Sequence, residues 1–194
     1  MELSDQQSTL FEFVKTYHGD QKRKYTGAPY WTHLLSVATT ASKYSSGLME
    51  VEIALCHDLV EDTAATYNNL RIKLEALNYT ESQIKDILKG VEDLTDVYTF
   101  EDYPELNRKE RKTLEADRLI MTSPHSQTVK YADIIDNTTS IVEHDNGFAK
   151  IYIGEVSRYL YKLDKGNPEL YRRCVDCFES GKEKLKTGSG TSPR

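Results

Sequence analysis

The stretch Ala54-Leu55-Cys56-His57-Asp58-Leu59-Val60-Glu61-Asp62-Thr63 constrains this chain more than any other part of it. It begins as the apolar end of a helix and then places four ionisable side chains within six positions. Residues three and four apart share a helix face, so a helix continuing through the stretch sets His57 beside Glu61 and Asp58 beside Asp62. Carboxylates that follow directly on Ile53-Ala54-Leu55 must reach water or find a partner, because an unpaired buried ion is costly. A bound divalent cation is one such partner, and a helix end emerging into solvent is the plainer alternative. The decapeptide alone leaves both open.

The pattern around it is helical nearly throughout, with no alternating strand. Ser4 can cap a first helix with Leu10, Phe11, Phe13, Val14 and Tyr17 on its apolar face, ending near Gly19-Asp20. A basic loop, residues 21–28, is closed by Gly27, and Pro29 suits the first position of a second helix that carries His33. A third helix runs from about Met49 into the decapeptide. Thr66 opens a helix to about Leu77, and Thr80 with Gln83 forms a capping-box pattern for the next. Residues 96–103 are aromatic and acidic without period and read as a mobile loop. Charged and mixed helices follow over 107–121, 127–142 and 148–163. Asn167-Pro168 starts the last one.

Residues from Lys186 onward read as a flexible tail. The expectation is one all-α domain over 1–185 with a tail over 186–194. A chain of 194 residues can bury a core of that kind.

With a net charge of −6, the chain is a poor match for a nucleic acid polymer or an anionic membrane. No apolar run approaches a membrane span, and Met1-Glu2-Leu3-Ser4-Asp5 is no signal peptide. Three cysteines give no disulfide framework, which points to the reducing cytoplasm. Cys174 and Cys177 have no second cysteine pair to complete a zinc site, and read as small helix residues.

Four elements line up: His33 on one helix, His57-Asp58 on the next, and Asp133 far downstream. Two imidazoles and two carboxylates form a mixed nitrogen–oxygen set that suits Mn²⁺ or Fe²⁺. Taken singly, His33 is an ordinary helix histidine and Asp133 a polar interruption of an amphipathic face.

The order His…His-Asp…Asp resembles that of the HD-domain metal-dependent phosphohydrolases. The flanking residues sharpen the likeness. Arg23-Lys24-Tyr25-Thr26-Gly27-Ala28-Pro29-Tyr30-Trp31-Thr32-His33 is similar to Arg-Lys-x(n)-Gly-x-Pro-Tyr-x-x-His. His57-Asp58-Leu59-Val60-Glu61-Asp62-Thr63 matches His-Asp-x-x-Glu-Asp-Thr, and Lys130 to Asn137 matches Lys-x-Ala-Asp-x-x-x-Asn. These are the patterns of the alarmone hydrolases, namely the hydrolase domains of Rel/SpoT proteins and the stand-alone, Mesh1-like small alarmone hydrolases. The likeness runs from about Phe11 to Leu163, and the stand-alone type is expected.

The resemblance implies an HD-domain helical bundle with the metal site between its central helices. It implies His33, His57, Asp58 and Asp133 as ligands of one Mn²⁺ per chain, with Fe²⁺ or Zn²⁺ as alternatives. Glu61 and Asp62 become the catalytic pair. Arg23 and Lys24 pack against the nucleotide base, with Asn137 and Ser140 near base and ribose. Arg108, Arg111 and Lys112 fall where the family carries phosphate-facing charge, although a solvated helix face paired with Glu110 and Glu115 explains them equally well. The implied reaction removes the 3′-diphosphate of (p)ppGpp to give GDP or GTP and pyrophosphate.

One departure bears on the substrate. The family usually places a basic residue directly after the downstream aspartate, and here stands Ile134, while the next variable position, Asp136, is acidic; fewer positive charges are expected near the phosphates. Removal of the 2′-phosphate of NADPH, hydrolysis of ppApp, or a catalytically silent nucleotide-binding regulator are the alternatives. A second metal is disfavoured because only His125 lies between His57 and Asp133. Monomer and homodimer are both left open.

Overall fold

The structure, a computed structural model, describes residues 1–47 and 49–187. The described residues form ten α-helices: α1 (Asp5–His18), α2 (Trp31–Ser42), α3 (Glu50–Cys56), α4 (Leu59–Asp62), α5 (Tyr67–Ala76), α6 (Glu81–Leu94), α7 (Arg108–Met121), α8 (Pro124–His144), α9 (Asn146–Val156) and α10 (Pro168–Thr187). A 3-10 turn over Leu160–Lys162 precedes α10. No strand occurs among the described residues; an isolated antiparallel bridge joins Lys22 to Pro29. The all-α expectation holds.

Helix starts are set by local chemistry. Ser4 with Gln7, Thr66 with Asn69, Thr80 with Gln83 and Asn107 with Glu110 each form a reciprocal capping box, which satisfies two otherwise orphaned backbone donors. Ser123 caps α8 with Pro124 at its first position, so this helix begins three residues before the expected Gln127.

Three further boundaries differ from the sequence reading. The second helix begins at Trp31, because Pro29 is held in the bridge with Lys22 and Tyr30 N donates to Gln21 O at 2.8 Å. The expected helix over 148–163 stops at Val156. There the Ser157 hydroxyl donates to Ile153 O at 2.7 Å, a side-chain bond of the sort that competes with helix continuation. The last helix runs to Thr187, two residues into the expected tail, and residues 188–194 of that tail lie outside the described residues.

The long helix α8 is the axis of the fold and packs against α2, α3, α6, α9 and α10. Leu34, Val37, Ala38 and Ala41 of α2, Ile53 to Cys56 of α3, Val129, Ala132 and Ile134 of α8, and Cys174 and Phe178 of α10 are all buried in one apolar cluster. Small residues let the helices close up: a Cβ on Gly90 of α6 would lie 2.4 Å from Ile53 Cδ1. Among the described residues no helix is long and apolar enough to cross a membrane.

Candidate functional site

The decapeptide is not one helix. α3 buries Ile53, Ala54, Leu55 and Cys56 and stops there, and Asp58 sits at φ −96°, ψ 1°, in the bridge region between helix and strand conformations. The break has a local cause: His57 Nδ1 turns back to the Ala54 carbonyl at 2.8 Å. Since a carbonyl only accepts, the imidazole proton is on Nδ1 and the unshared pair on Nε2 points away from α3. The short α4 then restarts, with Asp62 N donating to Asp58 O at 2.9 Å, so the expected pairing of Asp58 with Asp62 survives the break.

The helix α2 contributes His33 from its buried face, and α8 contributes Asp133. The donor atoms converge. His57 Nε2 lies 3.2 Å from Asp58 Oδ2 and 3.9 Å from Asp133 Oδ1. His33 Nε2 lies 3.6 Å from Asp58 Oδ2 and 3.3 Å from Asp133 Oδ1. His33, His57 and Asp133 are buried and Asp58 is half-buried.

These residues fit a divalent cation. His57 Nε2 is buried without a hydrogen-bond partner among the described residues, facing carboxylate oxygens that also only accept. Acceptors turned on one another are unfavourable until a cation sits between them, and metal–ligand bonds of about 2 Å match such separations. Electrostatics point the same way. Burial works against charge on His33, but Asp133, Asp136 and Asp58 outweigh it and push this imidazole up to about 10. The site collects positive charge at this point, and a metal would displace that proton.

A second layer holds the first. The Tyr30 hydroxyl donates to Asp58 Oδ2 at 2.7 Å, and Lys130 Nζ lies 2.8 Å from Asp133 Oδ2. Asn137 Nδ2 donates to Asp133 Oδ1 at 2.5 Å, so this residue, expected near base and ribose, is engaged with the aspartate. Asp136 Oδ2 accepts from His33 Nδ1 at 2.7 Å and from Arg23 Nη2 at 2.6 Å. Sequence reasoning assigned no role to Tyr30, Lys130 or Asp136. All three stand inside the quoted motifs, at three residues from His33 or Asp133. Asp136 drew notice only as an acidic departure near the phosphates, because its partners are far away in sequence.

Glu61 and Asp62 lie on the exposed rim. Glu61 Oε2 accepts from Asp96 N at 2.8 Å, and Asp62 Oδ2 is 3.5 Å from Gln21 Nε2. Surrounding protein, then the Asp96 carboxylate, pushes Glu61 up to about 7. Asp62 is raised as well, by desolvation and by Asp58. The loop expected to be mobile is tied at its start, since Glu115 Oε1 accepts from Val97 N at 2.5 Å and Tyr98 N at 2.6 Å.

The basic cluster divides. Arg108 and Lys112 line a cleft of about 230 Å³ together with Lys130, Tyr152 and Tyr159, where Arg108 pairs with Glu155 at 2.8 Å and Lys112 with Asp96. Arg111 is not among that cleft's lining residues; it bonds the Leu106 carbonyl and lies 5.3 Å over the Phe100 ring. A second cleft, of about 350 Å³, is lined by Arg23, Asp136, Ser140, Glu143 and His144 among others. Lys24 is exposed, 5.3 Å over the Phe148 ring. Ile134 is 1% exposed and packs in the core, so its apolar character is set by α8 packing and it makes no phosphate contact to lose.

An all-helical fold with two imidazoles and two carboxylates converging between central helices is the arrangement of the HD-domain class. The mouse guanosine-3′,5′-bis(diphosphate) 3′-pyrophosphohydrolase MESH1 is 31% identical over 177 residues, which cover 87% of this chain and 90% of that protein. The human MESH1 protein is 31% identical over 130 residues, 65% of this chain and 64% of that one. An Aquifex aeolicus guanosine-3′,5′-bis(diphosphate) 3′-pyrophosphohydrolase is 29% identical over 132 residues, which cover 68% of this chain and 17% of that longer protein. The chain thus spans about a sixth of the Aquifex protein and just under two thirds of the human one. No protein-family model matches.

Among solved structures, that of a metazoan ortholog of SpoT, described as hydrolysing ppGpp and acting in starvation responses, superposes with a TM-score of 0.74 at 22% identity. It covers 93% of this chain and 97% of that one. The chain belongs to the family of MESH1-like guanosine-3′,5′-bis(diphosphate) 3′-pyrophosphohydrolases.

Proposed function

We propose that residues 1–185 act as one hydrolase domain that removes the 3′-diphosphate of a (p)ppGpp-type alarmone, giving GDP or GTP and pyrophosphate, in the cytoplasm. The observation that carries this reading is the clustering of His33, His57 and Asp58, whose donor atoms lie within 4.8 Å of one another, with Asp133 Oδ1 3.3 Å from His33 Nε2 and 3.9 Å from His57 Nε2. Those four side chains would hold one divalent cation, Mn²⁺ by the family likeness, with Fe²⁺ or Zn²⁺ also suited to a mixed nitrogen–oxygen donor set. When bound, such a cation lowers the pKa of water and polarises a phosphoryl group.

The chain's own groups do the rest. Glu61, with a carboxyl poised near neutrality, accepts a proton from the attacking water, and Asp62 orients it. Water oxygen bonds to the phosphorus on the 3′ side as the bond to the ribose 3′-oxygen breaks, and that oxygen takes up a proton. Lys112, Arg108 and Lys130 face the cleft where the leaving diphosphate can lie. Arg23 supplies a flat cation for the base beside Ser140.

Product analysis of the purified protein with Mn²⁺ against ppGpp, ppApp and NADPH tests the reading. Pyrophosphate and GDP from ppGpp, abolished by a chelator and restored by Mn²⁺, is the expected result. Turnover of NADPH with none of the alarmones would overturn the substrate assignment.

A further inference from the structure

Asp136 occupies a junction that the four-ligand cluster does not require. Its Oδ2 receives the Nδ1 proton of His33 at 2.7 Å and the Arg23 guanidinium at 2.6 Å, from two different elements. Ser36, one turn beyond His33 on α2, lines the same cleft as Arg23 and Asp136 and favours the ionised form of the Asp136 side chain. The three side chains are well shielded: His33 is 4% exposed, Asp136 14% and Arg23 17%. A bond between groups so far from water is stronger than a surface pair and holds its geometry more tightly.

A carboxylate only accepts, so Asp136 fixes a His33 proton on Nδ1 and turns Nε2 toward Asp58 and Asp133, where its pair becomes available to a metal. The same oxygen sets the plane of the Arg23 guanidinium over the cleft that Ser140 lines. We propose that Asp136 is a positioning residue that couples the two binding events of this site, orienting His33 toward the metal and Arg23 toward the nucleotide base through one oxygen atom.

This inference rests on the metal-dependent nucleotide reading above, and it deepens it. A general helix pairing would tie Asp136 to neighbours on α8. Its partners lie instead on α2 and on the loop before it, one at the cluster and one at the base cleft. Without Asp136, His33 is free to take either tautomer and to rotate, and Arg23 loses its one ionic tether among the described residues.

The test measures Mn²⁺ affinity by chelator competition in the absence of nucleotide, alongside steady-state kinetics on ppGpp. Asp136→Ala should weaken Mn²⁺ binding by roughly 10–100-fold, the range for lost outer partners of a ligating histidine, and should raise KM as well. Arg23→Ala should raise KM and leave Mn²⁺ affinity within about threefold of wild type, since Asp136 keeps its bond to His33 when Arg23 is gone. The double variant should raise KM little beyond Asp136→Ala alone, because the two act as a unit.

Asp136→Asn keeps the shape and one acceptor. It should lose less Mn²⁺ affinity and serves where the alanine variant does not fold. Wild-type Mn²⁺ affinity in a folded Asp136 variant, or additive KM effects in the double variant, would overturn the proposal. Wild-type protein that binds Mn²⁺ but hydrolyses no alarmone overturns the functional reading alone, and the Mn²⁺ comparison still decides the role of Asp136. Wild-type protein that binds no Mn²⁺ overturns both.

Discussion

Lys130 Nζ sits 2.8 Å from Asp133 Oδ2, one turn earlier on α8, with both groups largely shielded from water. Burial works against charge on Asp133, but Lys130 first, then His33 and His57, outweigh it and hold this carboxyl well below the usual range. The aspartate is therefore ionised and oriented before a cation arrives. Lys130→Met should leave a buried carboxylate short of its partner and destabilise the metal-free protein by roughly 3–5 kcal/mol, the range for breaking a buried pair. Saturating Mn²⁺ should return part of that loss, since a ligand of the folded state stabilises it. Thermal unfolding with and without Mn²⁺ reads both quantities; equal melting of variant and wild type in chelator would contradict the argument.

Glu61 separates catalyst from ligand. Its carboxyl accepts from Asp96 N at 2.8 Å and is not among the carboxylates, those of Asp58 and Asp133, that face the Nε2 atoms of His33 and His57. Glu61→Gln should lower turnover by roughly 10²–10⁴-fold with Mn²⁺ content near wild type. A base works when deprotonated, so the wild-type rate should rise with pH through a limb at or below about 7, the cation drawing the group down from its metal-free position. The limb should be missing in Glu61→Gln. Loss of Mn²⁺ in that variant would place Glu61 among the ligands instead.

Much of this architecture is local and was open to reading. The capping boxes at Thr66, Thr80 and Asn107 need only a residue and its third neighbour. The candidate cluster could be picked out because His57-Asp58 and the segment from Lys130 to Asn137 are short, recognisable runs. What escaped depends on contacts across the fold. Nothing near Asp136 announces Arg23 or His33, 113 and 103 positions away. Ile134 looked like a lost phosphate contact because helix facing cannot be assigned from one residue, and packing around α8 turns it inward. The break at His57 escaped for the converse reason: periodicity favours a continuous helix, while one imidazole bonding back to Ala54 ends it.

Glu50 gives the fold an acid-sensitive post at the start of α3. The side chain is 2% exposed and accepts from the Ser45 hydroxyl at 2.6 Å and from the Ser46 hydroxyl and amide at 2.6 and 3.2 Å. Burial opposes its ionisation, but these donors together outweigh burial and hold the carboxyl at about 2. With a lowered folded pKa, its contribution is fully present above the unfolded value of about 4.5 and is lost as pH falls toward 2. That contribution is on the order of 3 kcal/mol at neutral pH. Glu50→Gln should be less stable at pH 7 and show a shallower loss of stability between pH 5 and roughly 2. Urea unfolding across that interval checks it, and parallel curves for the two proteins would contradict it.

The division of the basic cluster yields the most discriminating test of where phosphates lie. Lys112 and Arg108 face the cleft that Lys130 also lines, while Arg111 is spent on the Leu106 carbonyl and the Phe100 ring. Lys112 is held by Asp96, whose amide supports Glu61, so a phosphate arriving in the cleft competes with Asp96 for this ammonium. Lys112→Ala should therefore lower kcat/KM for ppGpp by roughly 10–100-fold, about 1.5–3 kcal/mol for a charge-assisted contact, and weaken the dependence of KM on salt. Arg111→Ala should change kcat/KM by less than about threefold, because its charge is directed elsewhere. Ile134→Lys should add no affinity for pppGpp over ppGpp and should instead destabilise the fold, since the site is core. Kinetics of the three variants on ppGpp and pppGpp, with melting curves for Ile134→Lys, decide the matter. A stable Ile134→Lys protein with a new preference for pppGpp, or equal losses at Lys112 and Arg111, would show that phosphates lie along a different face of α7 and α8.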